Sequence, residues 1–173
     1  MITAEDLARC QWGEPGGRAA AQTIGSWLLK QGFALSIGPI ANKTFVPGLS
    51  VVGGGIAIDP EVAAYPGDML HEAGHLAVAE PATRAAMNDV GSDPGEEMAA
   101  IDWSVAAARD CAIPLDVLFH EHGYKGEAGW LAETFGLGQP FGVPLLVWYG
   151  MTASPQGDSG SGAAFPNMIR RLR

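Results

Sequence analysis

The chain has 173 residues, of which 47% are hydrophobic, and its formal net charge is −9 at neutral pH. This length suits one domain that buries a substantial core without disulfides, and the apolar content excludes a disordered protein. The ten basic residues against nineteen acidic ones argue against a sequence-independent nucleic-acid binder, which neutralises phosphates with clustered Lys and Arg.

Two helices and a group of short strands are predicted in the first third of the chain. The helices cover residues 3–12 and 18–31, and Gly32 ends the second. Four short β candidates follow at residues 33–40, 44–46, 49–52 and 56–58, separated by turn residues. The glycines at 53–55 predict a hairpin turn. These segments predict a small mixed or antiparallel sheet of three or four strands.

The rest of the chain is predicted to be mainly helical, which makes the fold class α+β. Helices are expected at residues 66–80 and from Asp93 to about Cys111, with shorter ones at 81–88, 114–120 and 126–135. Residues 143–149 form a further apolar segment after a turn-rich break. From Gly150 the composition shifts to Gly, Ser and Pro. We therefore expect one domain over residues 1–149 and a Gly/Ser/Pro-rich tail over residues 150–173. The basic residues 169–173 could dock on the acidic body, but a solvated end is the commoner outcome and is expected here.

A cytoplasmic protein without a membrane segment is expected. The first residues contain no basic region followed by an apolar stretch, so no signal peptide is predicted. No apolar run is long enough to cross a bilayer. The two cysteines, Cys10 and Cys111, are more typical of reduced thiols than of a disulfide framework. The sequence leaves the oligomeric state open.

The most informative stretch is an HExxH motif, which begins at His71 inside the helix predicted for residues 66–80. Residues four apart lie on one face of a helix, so His71 and His75 can offer two imidazole nitrogens to one zinc ion. Glu72 stands beside them, where it can take a proton from a water. Gly74 costs about 1 kcal/mol in a helix relative to Ala, which indicates that another backbone approaches closely there. The motif therefore predicts two zinc ligands and a general base.

A catalytic zinc site normally takes a third protein ligand. The three-histidine pattern HExxHxxGxxH fails here, because Val78 and Pro81 stand where its glycine and third histidine would be. The carboxylates at the start of the next long helix are the remaining candidates. They are Asp93, Glu96 and Glu97.

The order of helix, small sheet, HExxH helix and glutamate-bearing helix over residues 18–111 resembles the gluzincin group of zincin metallopeptidases, and most closely the minimal gluzincins. Their third ligand is a glutamate on the helix that follows the HExxH helix. Between the two glutamates we prefer Glu97, because Asp93 and Glu96 have the spacing of a capping box while Glu97 shares a face with Ile101. Glu96 and, less directly, Asp93 remain the alternatives, and both glutamates could also simply favour a helix N-terminus in solvent.

One position departs from the gluzincin pattern. The family often carries an acidic residue four positions after its ligand glutamate, where it orients a histidine, and Ile101 stands there in this chain. A ligating imidazole usually donates its other N–H to some acceptor. Asp102 and Asp59 are the candidate acceptors.

The resemblance implies a zinc-dependent metallopeptidase that acts on peptide or protein substrates, with Glu72 as the general base. Such enzymes use a Tyr or His to stabilise the developing oxyanion. The candidates are His120, His122 and Tyr124, with Tyr149 as a further choice, although the histidines could also simply favour the end of the preceding helix. In zincins a sheet edge aligns the extended substrate, and residues 44–46 or 56–58 are the candidate edges.

Two other functions stay open. One is a noncatalytic binding or regulatory module with a zincin fold, and the other is a zinc hydrolase that acts on something other than peptides. Glu72 favours an enzyme over a module, because a purely structural metal site has no need of a base beside its histidines.

Overall fold

The computed structural model describes residues 2–41, 44–155 and 164–173, and it confirms an α+β fold with a three-stranded mixed sheet. The first two helices begin where the sequence places a cap or a glycine turn, and Thr3 caps the first of them through the backbone N–H of Asp6. These elements are α1 (Ala4–Leu7), α2 (Gly17–Lys30), β1 (Leu35–Ile37), β2 (Leu49–Val52) and β3 (Gly55–Ile58).

Strand β3 is the central strand of the sheet. It pairs in parallel with β1, where Leu35 lies opposite Ile56, and antiparallel with β2, where Leu49 lies opposite Ile58. The turn between β2 and β3 uses Gly53 and Gly54 at positive φ, as the sequence predicted.

Two β predictions are wrong. Residues 44–46 form no strand, because the Thr44 hydroxyl donates to the carbonyl oxygen of Val46 in a local turn. Residues 56–58 are not a sheet edge, because neighbouring strands occupy both sides of them. Neither segment offers a free edge on which a substrate could pair.

Helices build the rest of the fold. They are α3 (Pro66–Val78), α4 (Pro81–Arg84), α5 (Pro94–Asp110), α6 (Leu115–Leu118), α7 (Ala128–Gly136) and α8 (Val143–Trp148). Every residue of α3 is buried, and this helix packs against α2, α5, α6 and both antiparallel strands. Its polar side chains must therefore either meet partners in the interior or line a cleft.

The C-terminal end of α3 is capped by groups that are distant in the sequence. The Arg84 guanidinium donates to the carbonyl oxygen of Leu76 at 2.7 Å and to that of Arg173 at 2.9 Å, and the backbone N–H of Arg173 donates to the carbonyl oxygen of Ala77 at 2.9 Å. The last carbonyls of a helix have no partners within the helix. These contacts satisfy them and fix the end of the helix that carries the HExxH motif.

The prediction of a solvated end for the tail is wrong over residues 164–173. These residues pack on the body, where the indole N–H of Trp103 donates to the carbonyl oxygen of Arg171 at 2.9 Å and the Arg173 guanidinium lies 4.0 Å from the ring centroid of Tyr149. Residues 156–163 of the predicted tail lie outside the described residues. Among the helices that the structure describes, none is long and apolar enough to cross a membrane.

Candidate metal centre

Two helices bring three ligand-type side chains together. His71 and His75 lie on α3, and Glu97 lies in the first turn of α5. The two Nε2 atoms are 3.2 Å apart, His75 Nε2 is 3.2 Å from Glu97 Oε2, and His71 Nε2 is 3.6 Å from Glu97 Oε1. Across the described ranges, no other group of three His, Cys, Asp or Glu side chains converges in this way.

The spacing of these atoms fits a tetrahedral metal ion. Zinc binds imidazole nitrogens and carboxylate oxygens at about 2.0–2.2 Å, which separates two ligand atoms of a tetrahedron by about 3.3–3.5 Å. The three observed distances lie close to that value. Two imidazoles and one carboxylate are also a donor set of catalytic zinc sites, which keep a fourth position open.

The protonation states of the cluster suit a cation. Burial, and then the neighbouring His75, lowers the pKa of His71 to about 4, so its imidazole is neutral and has a free lone pair at neutral pH. The hydrogen bond from His75 is the main cause that lowers the pKa of Glu97, which is therefore ionised. A metal ion would displace few protons from these ligands.

Glu72 lies beside the cluster and lines the same cleft. Its side chain is buried, and burial is the main cause that raises the pKa of this carboxyl to about 7, with His75 opposing the shift. A carboxylate with a pKa near neutrality can accept and return a proton under ordinary conditions. Glu72 can therefore exchange a proton within the cleft near neutral pH.

The cluster opens into a cleft of about 1060 Å³ whose walls are mainly apolar. Aromatic and aliphatic side chains from the loops and from α5 and α7 form these walls: Phe45, Val46, Val90, Met98, Ile101, Trp130, Leu131 and Phe141. No residue of the three strands is among the described residues that line the cleft. Its volume is at the upper end of the range of small-ligand sites, and the described strands form no part of its wall.

Tyr124 is the predicted oxyanion donor that the fold places at the cluster. Its ring packs edge-on against His71 with 5.1 Å between centroids, and its hydroxyl is buried close to the side chain of Ser104. Burial raises the pKa of this phenol well above its usual value, so it remains a donor. Tyr124 and Lys125 both have positive φ, a strained conformation that is often found at functional sites.

The two predicted histidines lie elsewhere. His120 is buried, with its Nε2 atom 2.9 Å from Asp68 Oδ1 and its ring stacked on Tyr65. The side chain of His122 is 54% exposed and lies beside Glu121. Neither histidine is among the described residues that line the cleft. Of these three candidates, Tyr124 is the one that lines the described part of the cleft.

The other predicted carboxylates have structural partners. Asp93 caps α5 by accepting from the backbone N–H of Glu96 at 2.8 Å, and neither residue belongs to the converging group. The proposal that Asp102 or Asp59 orients a ligand histidine is wrong. Asp102 accepts from the backbone N–H of Gly142 at 3.0 Å, and Asp59 accepts from a backbone N–H in the loop after β1.

Asp68 was not among the predicted site residues, but it lines the cleft one turn before Glu72. The spacing of four residues from Glu72 was the available signal, since residues four apart share a helix face.

Comparison of the chain with models of protein families, with curated proteins and with solved structures found no match in any of the three. A functional proposal for this chain therefore stands on the geometry and chemistry of its own residues. Of these, the group formed by His71, His75 and Glu97, with Glu72 beside it, is the most specific.

Proposed function

We propose that this chain is a zinc-dependent metallopeptidase of the gluzincin type, with a zincin-like fold. His71, His75 and Glu97 hold the ion, and Glu72 is the general base. The observation that carries the proposal is the convergence of two imidazoles and one carboxylate within 3.2–3.6 Å of one another, beside a buried glutamate that faces the same cleft. A structural metal site would need no such base and would leave no ligand-sized cleft.

Glu72 and Tyr124 have separate roles in the proposed reaction. When bound, zinc supplies the Lewis acidity that makes water a nucleophile near neutral pH. Glu72 takes one proton from the attacking water as the water oxygen bonds to the carbonyl carbon of the substrate. The Tyr124 hydroxyl donates to the carbonyl oxygen as negative charge develops there. Glu72 then gives its proton to the leaving nitrogen as the C–N bond breaks, and it returns to its ionised state.

A zinc hydrolase for small non-peptide amides or esters is the second candidate. The apolar walls and the absence of the described strands from the cleft favour it, because a long peptide in a zincin site pairs with a sheet edge. The same catalytic residues would serve either substrate.

Hydrolysis by the zinc-loaded protein tests the proposal. Wild-type protein with about one zinc per chain, the stoichiometry of a three-ligand site, should cleave members of a library of short peptides. Glu72→Gln should retain the zinc and lose cleavage, because the amide cannot accept the proton. Failure of the wild type to bind zinc, or equal cleavage by wild type and Glu72→Gln, would overturn it.

A further inference from the structure

Beside the metal centre Asp68 on α3 lines the cleft, and its carboxylate pairs with His120, which follows α6 and is not among the lining residues. We propose that this pair is a subsite that receives a positively charged amino group of the substrate. The inference rests on the proposed function and narrows its substrate class to amides and short peptides that carry a free amine near the scissile carbonyl.

The two carboxylate oxygens of Asp68 differ in their hydrogen bonding. Its Oδ1 atom is 2.9 Å from His120 Nε2, whereas its Oδ2 atom is buried with no hydrogen-bond partner among the described residues. The residue is 2% exposed, and it lines the same cleft as Glu72. A buried carboxylate oxygen without a donor is costly, so its presence at a ligand cleft indicates that a ligand supplies the donor.

His120 orients the carboxylate of Asp68 through a hydrogen bond to its Oδ1 atom. The Nδ1 atom of His120 is buried and has no partner among the described residues. The imidazole Nε2 atom donates to Oδ1 of Asp68, which leaves Oδ2 as the oxygen without a donor. Tyr65 stacks on the imidazole at 4.1 Å between centroids and holds its plane.

The charged residues of the cleft favour a cationic ligand. Acidic residues predominate among the charged residues that line the described part of the cleft, which are Asp68, Glu72, Asp89, Glu97 and Glu127 against the single cation Lys125. The lining therefore keeps a net negative charge with the ion in place, and such a cleft attracts cations.

The position of Asp68 sets where the amine lies relative to the reacting carbonyl. Residues four apart on a helix have Cβ atoms about 5–6 Å apart, so Asp68 stands one helical turn from Glu72. A primary amine one or two carbon atoms from the scissile carbonyl spans that interval. The apolar wall that includes Trp130 and Phe141 is then left for an apolar side chain of the same substrate.

Binding of two zinc-chelating probes tests the subsite without a need for turnover. Leucine hydroxamate and N-acetyl-leucine hydroxamate carry the same chelating group and side chain, but only the first has a free amine. Calorimetry on zinc-loaded wild type should show at least about 10-fold tighter binding of leucine hydroxamate, the effect of one charge-assisted hydrogen bond. Asp68→Asn should reduce that preference to below about 2-fold and leave the affinity for the acetylated probe unchanged.

Asp89→Asn is the matched control, because Asp89 is an exposed carboxylate on the same cleft, and this variant should keep the wild-type preference. The zinc content and melting temperature of each variant are measured first. If Asp68→Asn does not fold, equal binding of the two probes by wild type would still overturn the subsite.

The outcomes separate this inference from the proposed function. Equal binding of the two probes by wild type, or an unchanged preference in Asp68→Asn, overturns the amine subsite while leaving the metal centre and Glu72 unaffected. Binding of neither probe by zinc-loaded wild type overturns both. A preference that Asp68→Asn abolishes and Asp89→Asn retains supports the subsite.

Discussion

A Cβ atom on Gly74 of α3 would lie 2.5 Å from the carbonyl oxygen of Ala100 on α5. The two helices therefore approach each other as closely as their backbones allow at this point, which confirms the close approach that the sequence predicted. Gly74 immediately precedes His75, and Ala100 lies three residues after Glu97. The glycine thus sets the separation across which the carboxylate reaches the two imidazoles.

Gly74→Ala should destabilise the protein and weaken zinc binding together. The added methyl meets backbone, which cannot rotate away, so α3 and α5 must separate at a cost of about 1–3 kcal/mol. Chemical unfolding and a zinc titration on the same sample measure the two effects. Gly129→Ala in α7 is the control, because a Cβ there meets nothing within 4 Å and should be neutral or stabilising. Unchanged stability in Gly74→Ala would contradict the packing argument.

Glu97→Ala should weaken zinc affinity by more than about 100-fold, which exceeds the typical loss from removing a partner outside the ligand set. Glu96→Ala should leave the affinity nearly unchanged, since Glu96 is not in the converging group. Competition with a chromogenic chelator at fixed pH measures both values. If Glu96→Ala loses zinc and Glu97→Ala keeps it, the assignment of the third ligand is wrong.

Tyr124→Phe should lower kcat by about 100-fold or more and leave KM and zinc content close to wild type, because the hydroxyl acts on charge that develops only in the transition state. The ring that packs on His71 remains in this variant. Tyr149→Phe and His122→Gln serve as controls, since both residues were candidates from the sequence and neither is among the described residues that line the cleft. A larger loss in either control than in Tyr124→Phe would reassign the oxyanion donor.

Asp102 should make the stability of the protein depend on pH. Burial raises the pKa of this carboxyl from its usual 3.8 to about 7, despite the backbone N–H groups of residues 141–143 that favour the ionised form. The folded chain therefore binds the proton more tightly than the unfolded chain. The contribution of Asp102 to the free energy of unfolding should be greatest below about pH 4, fall by at most about 4 kcal/mol as the pH rises to about 7, and then stay level.

Urea unfolding of wild type and Asp102→Asn between pH 4 and pH 8 isolates this effect. Other titrating groups are common to both proteins, so the difference between their unfolding free energies reports on Asp102. The unfolding free energy of wild type minus that of Asp102→Asn should therefore decrease as the pH rises. A difference that stays constant over the range would show that Asp102 is ionised throughout.

Local sequence signals predicted most of the helices correctly. Pro66 begins α3 and Asp93 caps α5, because caps and first-turn prolines act through residues only a few positions away. The hairpin glycines after β2 likewise needed no tertiary information. Predictions failed where the outcome depended on distant partners. Strand β3 became central because β1 joined it from the other side of the hairpin, and the C-terminal residues docked because the end of α3 offered unpaired carbonyl oxygens.

The sequence by itself determined that His71, Glu72 and His75 share one stretch of helix, since their spacing of one and four residues is a property of any α-helix. The tertiary structure decided which carboxylate meets the two imidazoles. Asp93, Glu96 and Glu97 all lie at the start of α5, and the close crossing of α3 and α5 at Gly74 turns only Glu97 of the three toward the histidines. The pairing of Asp68 with His120, 52 residues apart, likewise depends on the packing of α6 against α3.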